Sequence, residues 1–187
     1  MIFRKLINLK NENLNKKIFY FVTKNLKNTI FNFLGYEFYC KIYLKNNYQN
    51  IFFYKKKNQL EILISYIDLK TEKKIKKEII KYLISNPIKI ILLLKNIKYF
   101  FKFSINPNNF IQLLHLIINK SIMTKANKIY RNNRINELHE KFIRNKYKGI
   151  YATFDNENIA AKRYYEKNNY ILYKRNLFFS FVKKKIY

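Results

Sequence analysis

Two glycines, two prolines, one cysteine and no tryptophan occur among the 187 residues. So few glycines exclude a glycine-rich loop that lets backbone close onto phosphate. The lone Cys40 excludes an internal disulfide and a cysteine zinc cage, and a reduced, cytoplasmic setting is the expectation. No spacing of residues resembles a metal site or a Ser/His/Asp set, so no metal is expected. Long hydrophobic runs are also missing. The greasiest stretch, residues 79–94, is broken by Lys81, Pro87 and Lys89, short of the ~20 apolar residues a membrane span needs. The opening MIFRKLINLK lacks the apolar core of a secretory signal.

Acidic residues are scarce as well, 11 against 39 basic ones, for a net charge of +28. Such a charge points first to nucleic acid. Arginine argues otherwise, because only six of the basic residues are Arg, and bidentate recognition of phosphate or guanine favours Arg over Lys. Lys, Asn, Ile, Tyr and Phe are abundant, and Ala, Gly, Pro and Trp are rare. That is the balance an AT-rich genome gives without selection for a polyanionic partner. The lysines are therefore expected to be spread over the surface, with nonspecific, salt-sensitive attraction to nucleic acid or anionic lipid. At 49% hydrophobic, the chain can bury a sizeable core as a single domain, 1–187.

In order, residues 1–10 can form a strand. Leu14 to Leu34 has apolar residues at helical spacing and ends at Gly35, and Tyr36 to Leu44 repeats that spacing. Asn50 to Tyr54 and Gln59 to Ile67 read as a hairpin about a polar KKKN turn. Thr71 to Ile84 and Ile88 to Phe101 read as a helical pair parted by Pro87, which suits a helix start; an exposed apolar face there would point to a membrane surface or a partner. Phe110 to Ile118 suits a doubly buried strand or a short helix. Strict alternation would put Ile111, Leu113, His115 and Ile117 on one face and Gln112, Leu114, Leu116 and Ile118 on the other. Lys120 to Arg134 is polar and basic, and Ile135 to Ile143 reads as a helix.

The most informative stretch is Gly149 to Arg175. Ile150 to Phe154 reads as a strand, Asp155, Asn156 and Asn158 as helix caps, Ile159 to Lys167 as a helix, and Tyr170 to Lys174 as a second strand. Asn168-Asn169 stops the helix, since Asn tolerates the left-handed conformation. Within it Asn158, Ala161, Tyr165, Glu166, Lys167 and Tyr170 follow the order N-x-x-A-x-x-x-Y-E-K-x-x-Y. This resembles the late signature of the GNAT superfamily of N-acetyltransferases, with Asn169 in place of the usual Gly and Tyr170 in place of Phe.

The resemblance implies an α/β (α+β) GNAT-like acyl-CoA N-acyltransferase fold: a central mixed sheet flanked by helices, here with a helical insertion around 71–101. It implies acetyl-CoA or another acyl-CoA as co-substrate, and a small-molecule amine as acceptor. Backbone groups of Leu116, Ile117 and Ile118 would hold the pantetheine arm. The family's pyrophosphate loop has no glycine counterpart in this sequence. Its place falls either on Lys125 to Tyr130 or on Arg131 to Asn136, so Lys125, Lys128, Arg131 and Arg134 are the cations that could neutralise phosphate. Asn158 would lie beside the cofactor or simply cap its helix. Tyr165 would be the general acid to the departing thiolate. His115 is the first choice of base, ahead of His139, Glu37 and Glu61. Two other readings stay open: a basic nucleic-acid-binding protein using Lys and exposed aromatics, and a GNAT-shaped domain that binds a partner without catalysis.

Overall fold

The computed structural model describes residues 2–6, 10–26, 30–94, 107, 109–119, 125–144 and 146–185. Strand β1 (Arg4–Lys5) leads to helix α1 (Glu12–Asn25), whose first turn is capped by Asn11 accepting from the Leu14 amide at 2.9 Å. Ile18, Phe19 and Val22 give that helix its buried stripe. Helix α2 (Ile30–Phe38) is kinked at Gly35, where φ is 83°. It runs on through a π-helical turn, Tyr39–Leu44, in which the Lys45 amide reaches back five residues to the Cys40 carbonyl, and then through α3 (Lys45–Asn47). The single helix expected over 14–34 is instead two, because α1 stops at Asn25 with Leu26 out of helical conformation and α2 begins at Ile30, while the helix expected over 36–44 is present but drawn forward across Gly35; residues 27–29 lie outside the described part.

Strands β2 (Ile51–Lys56) and β3 (Gln59–Ile67) form the expected hairpin. Lys57 and Asn58 at its tip both have positive φ, as the twist of a two-residue hairpin loop requires. Asp68 then caps α4 (Leu69–Ile84), accepting from the Thr71 amide at 2.6 Å, and α5 (Pro87–Leu94) starts on the proline as expected. Residues 95–101 of that expected helix lie outside the described part. The chain closes with β4 (Phe110–Ile118), α6 (Lys125–Ile143), β5 (Gly149–Asp155), α7 (Ile159–Lys167), β6 (Ile171–Arg175) and β7 (Phe179–Lys185).

The strands make one sheet in the order β1-β2-β3-β4-β5-β7-β6. Neighbours are antiparallel except β4 and β5, which run parallel as expected. One face carries α1, α2 and α4 over Leu63, Ile67 and Ile117; the other carries α6 and α7 over Ile64, Ile111, Leu113 and Ile150. Among the described residues no helix is long and apolar enough to cross a membrane.

Three further readings of the sequence need correction. Strand β7 was not anticipated, although FSFV alternates; it fills the place between β5 and β6, and residues 170–174 are a sheet edge. Helix α6 extends through residues 125–134, read above only as polar and basic. Its inward stripe is Arg131, Ile135, His139 and Ile143, all buried and four apart. Two of the four are polar, so hydrophobic periodicity found only the second half. In β4, finally, the pairing with β3 slips between Ser65 and Tyr66, matching Ser65 to His115 but Tyr66 to Leu113. That extra residue is a β-bulge, and it breaks strict alternation. Ile111, Leu113, Leu116 and Ile118 share the α6/α7 face, while Leu114 and Ile117 pack with the opposite cluster.

Gly149 opens β5 under close constraint. A Cβ there would stand 2.1 Å from the Lys184 carbonyl oxygen and 2.7 Å from the Phe110 ring. The first of these is backbone of a paired strand and cannot yield without breaking the ladder. Gly149→Ala should therefore cost about 2–4 kcal/mol, read as a lower urea midpoint at unchanged slope. A midpoint equal to the parent's would show that the β5–β7 ladder shifts freely.

Candidate active site

The site begins with the bulge. Strands β4 and β5 pair only from Phe110–Gly149 to Leu113–Ala152. Beyond that rung β4 stays with β3, with pairs running on to Ile62–Ile118. The phase of that ladder is set by the Asn119 amide, which donates to the Glu61 carbonyl at 2.8 Å. In an antiparallel pair only alternate residues exchange bonds. Ile117 therefore pairs with Leu63, while the amides of Leu116 and Ile118 point away from β3, to the side that β5 has left.

A cleft of about 710 Å³ occupies this side, lined by Leu116 and Ile118 from β4, by α6 and α7, and by Asn25 from the end of α1. Helix α6 contributes Lys128, Arg131 and Asn132; α7 and its caps contribute Asn158, Ala160, Ala161, Arg163, Tyr164, Tyr165, Lys167 and Asn168. The two alanines leave room where longer side chains would fill the cleft. Four of these lining residues are cations and none is an acid. Arg131 is buried with its Nε lacking a hydrogen-bond partner, and the Asn132 Oδ1 is likewise buried and unpartnered. Buried polar atoms normally have partners, so both fit a polar ligand entering the cleft. The surplus of positive charge fits a polyphosphate such as that of an acyl-CoA.

Tyr165 lies where α7 meets the departing strand. Its ring stacks on Phe154 of β5 with centroids 5.4 Å apart and meets Tyr170 edge-on at 5.0 Å. Burial, with the Tyr164 hydroxyl adding to it, pushes its phenol pKa well up, so it holds its proton throughout the neutral range. Tyr164 also lines the cleft, its pKa raised by burial and opposed by the Arg131 charge. Successive helix positions thus both reach the cleft. Asn158 caps α7, its side-chain oxygen accepting from the Ala161 amide at 3.0 Å, and still borders the cleft. Asn169 takes the left-handed conformation, φ 61°.

The remaining candidates fall elsewhere. Ile117 turns its side chain into the opposite core. Lys125 opens α6, with its side chain outside the described part. Arg134 is exposed and pairs with Glu137 at 2.7 Å. Both placements of the phosphate loop, on 125–130 and on 131–136, fall inside α6. His115 is buried on the far face, its Nδ1 2.8 Å from the Ser65 hydroxyl and 3.3 Å from that of Tyr43, which also accepts from Asn47 at 3.1 Å. Glu37 is exposed and paired with Lys41, and Glu61 is buried on β3. Asn132 and Arg163 were not singled out in the sequence, and Lys167 and Asn168 only as a signature residue and a helix stop, not as site residues; Arg163 and Lys167 sit four apart on the signature helix, which was the available signal. Among the described residues no group of His, Cys, Asp or Glu could hold a metal ion.

No family model and no curated protein matches this sequence. Solved structures do. An acetyltransferase structure superposes with a TM-score of 0.63 at 10% identity over 100% of both chains. An N-acetyltransferase from Staphylococcus aureus Mu50 gives 0.56 at 14% identity over 98% of this chain and 100% of its own. A chain in the NatC complex bound to Gag peptide and CoA gives 0.56 at 11% identity, over 100% and 98%. The strand order, the one parallel pair and these superpositions define the fold as that of the GNAT N-acetyltransferases.

His139, on the inner stripe of α6, makes stability depend on pH. Tyr66 hydrogen-bonds its Nδ1, and burial together with the Lys184 charge depresses its pKa from 6.5 to about 3. Below about pH 6.5 the unfolded chain takes up a proton that the folded chain refuses. Stability should therefore fall with pH from there towards 3, by up to about 1.4 kcal/mol per pH unit from this group. Urea titrations between pH 6.5 and 5, above most carboxylate titration, should show a shallower pH slope for His139→Phe. Equal slopes would mean that His139 titrates alike in both states.

Proposed function

We propose that the protein is an acyl-CoA-dependent N-acyltransferase acting on an amine. The observation that carries this reading is the parting of β4 and β5 after Leu113–Ala152, which turns the Leu116 and Ile118 amides into a cationic cleft bordered by Tyr165. An acyl-CoA would supply an acyl group activated as a thioester. Lys128, Arg131, Arg163 and Lys167 are the groups that would hold its phosphates, with side-chain charge serving where the family uses glycine-loop amides. The amide of Leu116 or Ile118 would polarise the acyl carbonyl, stabilising negative charge as the amine nitrogen bonds to that carbon. Tyr165 would give its proton to the sulfur as the C–S bond breaks. His115, on the opposite face beside the bulge, is proposed to take the proton that the amine sheds. Support for CoA also comes from the NatC structure, bound to CoA and a peptide. The acceptor class is read as a small amine.

Tyr165→Phe removes one hydroxyl and almost no volume. It should lower kcat by about 10²-fold or more with an amine acceptor while leaving thermal stability and acetyl-CoA affinity, measured by calorimetry, nearly unchanged. Unchanged turnover would take Tyr165 out of the mechanism. Saturable acetyl-CoA binding with no turnover in the parent would favour a GNAT-shaped binding domain. Failure of acetyl-CoA to bind at moderate salt would sink the reading as a whole.

A further inference from the structure

Helix α4 and helix α5 form a surface that the proposed acyl transfer does not use. The inward stripe of α4 is Glu72, Ile75, Ile79 and Leu83. Its outward side begins with lysines: Lys70, Lys73, Lys74, Lys77 and Lys81 are all exposed. Acids on this helix do little to balance them. Glu72 is turned inward and paired with Lys76 at 2.8 Å, and Glu78 stands 3.8 Å from Lys81. Towards the end of the helix the outward side becomes apolar, with Ile80 and Ile84 one turn apart and 57% and 72% exposed. The apolar surface continues onto α5 through Ile88 at 76%, Ile91 at 59% and Leu94 at 57%.

Five aliphatic side chains each more than half in water, clustered on one helical pair, are not the scattered single exposures of an ordinary surface. Helix α5 is apolar almost all round, a composition that belongs to a covered helix. The occupant must suit both the apolar tip and the lysines behind it. A second copy of this chain would bring two lysine arrays of the same sign together. A nucleic acid would satisfy the lysines and leave the isoleucines in water. An anionic lipid surface satisfies both, with headgroup phosphates for the lysines and the acyl boundary for the aliphatic tip.

We propose that the α4–α5 hairpin docks this protein on anionic membrane surfaces, inserting Ile84, Ile88 and Ile91 while Lys73, Lys77 and Lys81 meet the headgroups. The test is co-sedimentation of the full chain with vesicles of phosphatidylcholine alone and with vesicles that also contain phosphatidylserine, at low and at physiological salt. The parent should partition onto the anionic vesicles. Ile84→Ser/Ile88→Ser/Ile91→Ser leaves every charge in place and replaces side chains already in water, so circular dichroism and thermal unfolding should match the parent. Its partition coefficient should fall at least about tenfold, since full insertion of a single aliphatic side chain is already worth that much. Lys73→Gln/Lys77→Gln should weaken binding and flatten its salt dependence. The proposal is overturned if the triple variant binds as tightly as the parent, because lysines scattered over the surface would then explain the binding. It is equally overturned if the parent binds neither vesicle, or if sedimentation equilibrium shows a parent dimer that the triple variant loses.

Discussion

Everything at the candidate site depends on one constraint: a peptide group in a strand interior has two sides, and each must be satisfied. Strand β4 meets this with β3 along its length and with β5 only as far as Leu113–Ala152. After that rung the outer amides of Leu116 and Ile118 face a cleft. Aromatic packing marks where β5 has gone. Phe154, two residues past the last rung, stacks on Tyr165 of α7, and Tyr165 packs in turn on Tyr170 at the head of β6. The separation of the strands is therefore coupled to the placing of the residue proposed as general acid. A change that let β5 rejoin β4 would cover the two amides and displace Tyr165 together.

The charge of the chain has two components that composition alone cannot separate. Exposed lysines lie on α1, α4, α6 and α7 and at the β2–β3 turn, a spread that accords with codon bias and not with a single nucleic-acid channel. Against that background Arg131 stands apart. It is buried, one of only six arginines, and its Nε has no hydrogen-bond partner. Burial pulls its pKa below the usual guanidinium value while the Tyr164 oxygen opposes the shift. Burying such a group without an anion is costly. The cost is understandable in a site that receives one, and it explains why the informative cation is an Arg inside a helix and not one of the many Lys outside.

The stretch 149–175 was legible because its signals are local and agree with one another. Gly149 marks a close approach of backbone to Lys184, Asn158 caps α7, and Asn169 takes the left-handed turn. The strand-helix-strand order and the parallel partner of β5 followed from these together with the resemblance. What escaped is information held between elements. The inward stripe of α6 mixes Arg131 and His139 with Ile135 and Ile143, so it has helical spacing without helical hydrophobicity. Of the cleft members on α6, Lys128 and Arg131 were named as possible phosphate partners and Asn132 was not; what escaped was their place inside a helix, because residues 120–134 read only as polar and basic.

The bulge in β4 shows most clearly how a single residue redistributes chemistry. Under strict alternation His115 would share the face of Ile111 and Leu113, which belongs to α6, α7 and the cleft. The extra residue at Leu114–His115 sends it to the other side, into contact with Ser65, Tyr43 and the Phe31 ring. The same insertion keeps Leu116 and Ile118 on the cleft side. At the same level the Leu116 and Ile118 amides point along the sheet into the space β5 has left, the Tyr165 phenol lies on one face, and His115 lies within a hydroxyl network on the other. An acyl transfer needs a proton delivered to the leaving sulfur and another removed from the incoming nitrogen. The groups proposed as proton donor and acceptor stand on opposite faces of the parted sheet, Tyr165 with the α6/α7 cluster and His115 beside Tyr43 and Ser65. No spacing in the sequence carries this arrangement; it arises from the mismatch of one residue between β3 and β4.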